Sequence, residues 1–382
     1  MTSKKWFIPF LCLICCLTTK AQNTITLDST IVQVTVLATN QDVPWEILWG
    51  PDNWLWMTER GGTISRMNPD TGEKIPLFTI PDCYEQQESG LLGMVLHPDF
   101  VNQPYVYLVY NYLQGFQIKE RLVRYTYNGT TFTDPFIMLN SISGNSTHIG
   151  SRLLILPDST LLMTTGDAQD QPASQDLNEL TGKVLRFNTE PDGEGVPGSP
   201  IHEYDKWKQW IPNDNPFVHT SIGGGNMKTP VYSFGHRNAQ GLAWGNANGT
   251  WRLYSSEHGD KSDDEVNEIK PGQNYGWPKV AGMGDDNYSS LDAFSNNDRL
   301  ASQMINYSEN TWAGANGMQR PLFVTFNWPA SSIPADGTNI YTWGTIGPSS
   351  IAYYSGNIPG WKNSLLITSL KYGMYRLKLN TS

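Results

Sequence analysis

The sequence predicts an all-β protein, a six-bladed β-propeller whose last blade is incomplete in this chain. Three observations carry that expectation. No stretch of the 382 residues keeps a helical period; residues 175–180 make at most one or two turns. Charged residues are only 16% of the chain, while it holds 14 Trp and 18 Tyr, a balance that suits sheets and uncharged polyol ligands. Finally, one phrase recurs: an apolar run, a Pro-Asp or Asn-Gly turn, a second apolar run, a short loop, then a Val/Ile-x-Arg strand. Self-similarity at this period, one four-stranded sheet per copy, marks a propeller. A β-sandwich would need fewer and less repetitive strands.

In chain order, MTSKKWFIPFLCLICCLTTKAQ opens the sequence. Lys4 and Lys5 form a basic start, residues 7–17 are apolar but too short to span a bilayer, and Thr19-Lys20-Ala21 offers a cleavage site. Residues 1–21 are expected to be a signal peptide and 22–382 the propeller, exported to the periplasm or secreted. A lipoprotein would need a small residue before the lipidated cysteine, and Ile14 and Cys15 fill those places. No later stretch is apolar and long enough to span a membrane. Cys12, Cys15 and Cys16 leave with the signal, so Cys83 remains alone. Internal disulfides, multi-cysteine zinc sites and paired-thiol redox chemistry are thereby excluded. Acidic residues outnumber basic ones 36 to 26 and the pI is near 5.1, which argues against nucleic acid and anionic membrane partners.

The first copy of the phrase covers residues 45–72, the second 90–129, the third 151–193 and the fourth 241–272. Another begins at Pro348 and runs through NSLLITSLKYGMYRLKLN. Polar insertions break the pattern between 281 and 346, where a further blade is expected to hide. Propeller loops ring a mouth at one end of the axis, so a site would draw one or two residues from each of several copies.

The third copy holds the stretch around which the site is organised, HIGSRLLILPDSTLLMTTGD from His148 to Asp167. Pro157-Asp158-Ser159 between two apolar runs signals a hairpin turn. An antiparallel hairpin returns the chain to its start, so His148 and Asp167 should share one end of the sheet. A His beside a carboxylate is a general base with a partner that fixes its tautomer; a structural His beside a loop Asp would look the same. Arg237-Asn238, in VYSFGHRNAQGLAW, offers a fork for carboxylates or quinone oxygens, or a structural ion pair. Asp260, Asp263, Asp264 and Glu265 crowd the loop after Gly259, either as a hard-cation site using carbonyl oxygens or as a solvated acidic turn. Lys371 ends a strand and could hold an anion; Trp343 could stack on a planar ring. There is no dinucleotide-binding GxGxxG, P-loop, GxSxG or HExxH.

Taken together, TERGGTISR, ESGLLGMVLHPDF, HIGSRL with GD, DLNELTGKVLR, FGHRNAQGLAW, EHGDKSDDEVN with NYGWP, and GWKNSLLITSLKYG resemble the soluble quinoprotein glucose/aldose dehydrogenases. The resemblance runs from about Val43 to the end. It implies a six-bladed propeller that uses pyrroloquinoline quinone (PQQ) and Ca2+ to oxidise the anomeric hydroxyl of an aldose sugar and passes electrons to an acceptor. It makes His148 the base and a cofactor contact, Asp167 its holder, and Arg237 and Asn238 quinone contacts, with Arg237 polarising the reacting carbonyl. The carbonyls of Gly259 and Asp260 would bind calcium, Lys371 a cofactor carboxylate, and Trp343 would border the sugar pocket. The family's cofactor-contacting Gln is Glu88 here, which adds negative charge beside an anionic cofactor. The chain also stops at Ser382, before a stretch in which family members carry further cofactor-gripping arginines. These two departures favour the alternative, a non-catalytic binding propeller of the same lineage for a glycan or protein ligand. A metal-dependent lactonase would need clustered carboxylates and Asn at the axis.

Overall fold

A computed structural model describes residues 24–27, 30–191, 209–219, 227–286, 308–328, 332, 339–371 and 373–379. The signal-peptide expectation at 1–21 lies outside them. Thr24–Leu27 and Thr30–Gln33 pair as a separate antiparallel hairpin within residues 1–37. Residues 38–382 form the propeller unit.

Five blades, not six, are built from the described residues. Blade 1 is Pro44–Trp49, Leu55–Glu59, Thr63–Met67 and Lys74–Thr79. Blade 2 is Leu91–Leu96, Tyr105–Gln114, Gln117–Tyr127 and Phe132–Ser143. Blade 3 is Gly150–Ile155, Thr160–Thr165, Lys183–Asn188 and Val231–Phe234. Blade 4 is Ala239–Ala247, Thr250–Glu257, Asp264–Ile269 and Phe323–Thr325, and blade 5 is Pro348–Tyr354, Ser364–Ser369 and Gly373–Lys378. All pairs within the blades are antiparallel. Among the described residues, the final sheet has three strands.

The stretch from 281 to 346 was expected to hide a blade, because its polar insertions separate short apolar runs. Its described part instead finishes blade 4: Phe323–Thr325 pairs with Asp264–Val266 as the outer strand. A short helix, Glu309–Ala315, precedes it, with the Ser308 hydroxyl accepting the Thr311 N–H as an N-cap. Period-2 reading does not distinguish a blade's late outer strand from a new blade when a long insertion intervenes.

Consecutive blades pack face to face through separate apolar cores. Trp56, Ile64, Leu91 and Val123 join blades 1 and 2, and Tyr107, Leu122, Leu161 and Leu185 join blades 2 and 3. Leu162, Val184 and Leu253 join blades 3 and 4, and Tyr254, Val266, Leu365 and Ile367 join blades 4 and 5. Each buried Leu, Ile or Phe removes enough apolar surface to contribute about 1.5–3 kcal/mol. The first strands of successive blades touch one another and so line the axis. Arg152, on the first strand of blade 3, ties three of them. Its Nη1 meets Glu46 Oε2 of blade 1, and its Nε donates to Gln240 O of blade 4 at 2.7 Å. Its guanidinium stacks 4.0 Å from the Trp45 ring. Both Arg152 and Glu46 are buried. Burial raises the Glu46 carboxyl above its ordinary range, with Arg152 opposing that rise.

Candidate active site

The hairpin forms as its sequence dictates. Gly150–Ile155 pairs with Thr160–Thr165, with Gly150 opposite Thr165 at the end where the chain enters and leaves. His148 and Asp167 therefore meet: Nδ1 lies 2.8 Å from Oδ1. Gly166 permits the approach, since a Cβ there would sit 1.8 Å from the His148 carbonyl oxygen. His148 itself has φ +56°, a left-handed conformation that costs a β-substituted residue of order 1–3 kcal/mol. That backbone is held by Glu88, whose Oε2 accepts the His148 N–H at 2.8 Å.

Asp167 is fully buried. Burial alone would raise its carboxyl, but the His148 contact, the Arg237 charge and the Gln169 N–H outweigh it and hold Asp167 below the usual carboxylate range. An ionised carboxylate only accepts, so His148 Nδ1 donates and Nε2 keeps its lone pair. Among the described residues, the imidazole is one-fifth exposed and so reachable from solvent.

Arg237 and Asn238 lie on the turn between blades 3 and 4. The Arg237 carbonyl accepts the Asp167 N–H at 2.8 Å, so the two loops are stitched together. Glu257, at the end of a blade 4 strand, clamps the turn: its Oε1 accepts the N–H of Arg237 and of Asn238. The other Glu257 oxygen binds His236 Nδ1 at 2.9 Å. Asn238 Oδ1 accepts the Gly150 N–H at 2.9 Å, and its Nδ2 donates to Glu88 Oε2 at 3.4 Å. Glu88 thus faces the site's own donors. Arg237 Nη2 stands 3.5 Å from Asp260 Oδ1.

The acidic loop is not a solvated turn. Asp260, Asp263, Asp264 and Glu265 are all buried. Gly259 sits where a Cβ would meet Ser262 O at 2.0 Å. Asp264 pins the loop: Oδ1 accepts the Gly259 N–H at 2.8 Å, and Oδ2 accepts the N–H of Ile346 and of Gly347. Burial pushes Asp264 up to about 6 despite those donors. Through Asp264 the loop is joined to the segment carrying Trp343. Lys371 reaches that same segment, donating to Trp343 O at 3.4 Å and to Thr345 Oγ1. Burial lowers the Lys371 ammonium, and Asp264 offsets part of this.

The structure therefore unites His148, Asp167, Glu88, Arg237, Asn238 and Asp260 in one hydrogen-bonded group, with Gly259 beside Asp260. Lys371 and Trp343 contact each other and join this group by way of Asp264. Several participants were not singled out from the sequence. Glu257, His236 and Trp277 are buried polar partners whose roles exist only once the turns are folded. His258 follows Glu257; burial, then the charges of Arg237, His148 and Lys371, push its imidazole down to about 3. Its Nε2 and the Nε of Arg237 are buried without a protein hydrogen-bond partner. Among the described residues no group of three or more His, Cys, Asp or Glu side chains is placed to hold a metal ion. A cation at this site would rely on the Gly259–Asp260 carbonyls.

The ends of adjacent blades thus gather a His–Asp pair, an Arg-Asn turn and a buried acidic loop. A sequence profile described as glucose / sorbosone dehydrogenase matches residues 41–314, and the chain belongs to that family. It is 35% identical to quinoprotein glucose dehydrogenase B of Acinetobacter calcoaceticus, over 90% of this chain and 77% of that protein. It is 29% identical to the aldose sugar dehydrogenase YliI of Escherichia coli strain K12, over 89% of this chain and 78% of that one. The solved PQQ-bound aldose sugar dehydrogenase of Streptomyces coelicolor superposes with a TM-score of 0.62 at 29% identity, over 91% of this chain and 80% of its own. Among the described residues, no helix is long and apolar enough to cross a membrane.

Proposed function

We propose that this chain is an exported, PQQ- and calcium-dependent oxidoreductase that converts the anomeric C1 hydroxyl of aldose sugars to the lactone. The observation that carries this reading is His148 Nδ1 held 2.8 Å from a buried, ionised Asp167 within one network with Arg237 and Asn238. When bound, PQQ supplies the acceptor for the C1 hydride and calcium the Lewis acidity that favours it. The protein does the rest. His148 Nε2 takes the proton from the sugar O1 as its C1–H bond breaks, and Asp167 stabilises the imidazolium. Arg237 presents a fixed positive charge to the oxygen on which negative charge develops. Asn238, Lys371 and the Gly259–Asp260 carbonyls position cofactor and cation, and Trp343 flanks the sugar.

The test is to add PQQ and Ca2+ to the purified protein and follow reduction of an artificial dye across a panel of aldoses. Reduction that requires both additions is the expected result. No reduction, with no quinone absorbance retained after gel filtration, would leave a binding propeller instead.

Glu88 yields a second expectation. In Glu88→Gln the side-chain oxygen still accepts from His148 and Asn238, but a negative charge beside an anionic cofactor is gone. PQQ should bind roughly tenfold tighter, about 1.4 kcal/mol, a modest share of the Coulomb term for charges a few ångströms apart. Titration by quenching of tryptophan fluorescence reads this; weaker binding would show that the carboxylate is needed to hold the loop.

A further inference from the structure

Asp167 is held at both carboxylate oxygens. Oδ1 accepts His148 Nδ1 and the Gln169 N–H, each at 2.8 Å. Oδ2 accepts the indole Nε1–H of Trp277, also at 2.8 Å. Trp277 is buried, at 4% exposure. Its backbone is fixed from the blade 3 side, by Gly235 O at 3.0 Å and by the Gln175 side-chain amide at 2.6 Å. The same ring lies 5.4 Å from the Arg237 guanidinium, whose Nε has no protein partner.

These contacts set up a competition. Arg237 attracts Asp167 electrostatically and is among the groups that stabilise its charge. With Oδ2 free, the carboxylate would be drawn to turn toward Arg237, and Oδ1 would leave His148. The indole donor occupies Oδ2, and the ring bulk supports Arg237 from beneath. We propose that Trp277 is a positioning residue. By pinning Asp167 it locks His148 in the Nδ1–H tautomer and keeps the Nε2 lone pair toward the mouth. The other groups facing this pair are Glu88 on the His148 backbone, Arg237, and His258, whose imidazole feels the His148 charge. Calling the Nε2 lone pair a base rests on the dehydrogenase reading; the tautomer lock does not.

The test is made on the protein without cofactor or sugar, so its failure is separable from failure of that reading. Protein carrying protonated, ring-15N histidine is examined at pH 8 by two-bond 1H–15N correlation to the ring carbon-bound protons, which distinguishes Nδ1–H from Nε2–H imidazoles. The chain has six histidines, and His148 is assigned by its loss in His148→Asn. The parent should show the Nδ1–H form alone. Trp277→Phe keeps a ring beneath Arg237 but lacks the donor, and should show a mixture with the Nε2–H form. Its kcat should fall about tenfold while PQQ affinity stays within twofold. A Trp277→Phe protein with the Nδ1–H form intact would overturn the proposal. Should that variant fail to fold, the parent's Trp277 indole proton gives the answer. It should resonate downfield and exchange slowly, and lose both properties in Asp167→Ala; an indole proton indifferent to Asp167→Ala would equally overturn it.

Discussion

His148→Asn should lower kcat/KM for an aldose by roughly 10^3-fold, within the range a positioned general base contributes, while PQQ remains bound. Asn is small enough to fit and can accept the Glu88-side backbone geometry unchanged, but its amide cannot take a proton near neutral pH. The loss should fall mainly on kcat, because the proton transfer occurs in the transition state. Asp167→Asn should approach the same loss by a different route. An amide donor facing Nδ1 favours the Nε2–H tautomer, which has no lone pair for the sugar hydroxyl. Steady-state dye reduction with retained quinone absorbance checks both. Wild-type rates in His148→Asn would remove this residue from the chemistry.

The second large effect is on stability. Arg152→Met leaves Glu46 buried at the axis without its counter-ion, and should cost about 3–5 kcal/mol. It also removes the tie among blades 1, 3 and 4 through Glu46 and Gln240. Chemical denaturation should show a lower midpoint with an unchanged slope. The pH dependence has a definite sign. Burial already raises Glu46, and Arg152 restrains that rise. Without Arg152 the folded state binds this proton more tightly than the unfolded chain does. The variant's stability is then greatest below the ordinary Glu pKa and declines as pH rises through the folded value. The destabilisation should therefore be smaller at pH 5 than at pH 8. Glu46→Gln combined with Arg152→Met should recover most of the loss, since a neutral pair carries little desolvation cost. An Arg152→Met protein as stable as the parent would show that solvent reaches this carboxylate.

How much of this was legible in the sequence depends on the range of the interaction. The His148–Asp167 pair was readable because a single hairpin brings both ends together, and a Pro-Asp-Ser turn fixes its register. Arg237-Asn238 and the acidic loop could be flagged by composition, since charged residues between apolar runs need partners. The partners themselves were not readable. Glu257 clamps a turn twenty residues away in sequence, and Trp277 meets Asp167 across 110 residues. No local period encodes such distances. The acidic loop left two readings open, solvated turn or buried site, and only packing against the 346–347 segment decides between them. The blade count failed for the same reason. An outer strand that arrives after an insertion carries no local mark of the sheet it will join.

The Trp277 contact has a further consequence, for proton traffic. Each hydrogen bond described at Asp167 comes from a donor: an imidazole N–H, a backbone N–H and an indole N–H. An indole nitrogen cannot accept a proton, so the line from His148 through Asp167 to Trp277 is a cul-de-sac, not a wire into the protein. On the dehydrogenase reading, a proton taken by His148 would return by way of the imidazole's solvent-exposed side. Under that reading the sugar, its product and this proton would all pass on the solvent side of His148, so release of one turnover's product would precede seating of the next sugar.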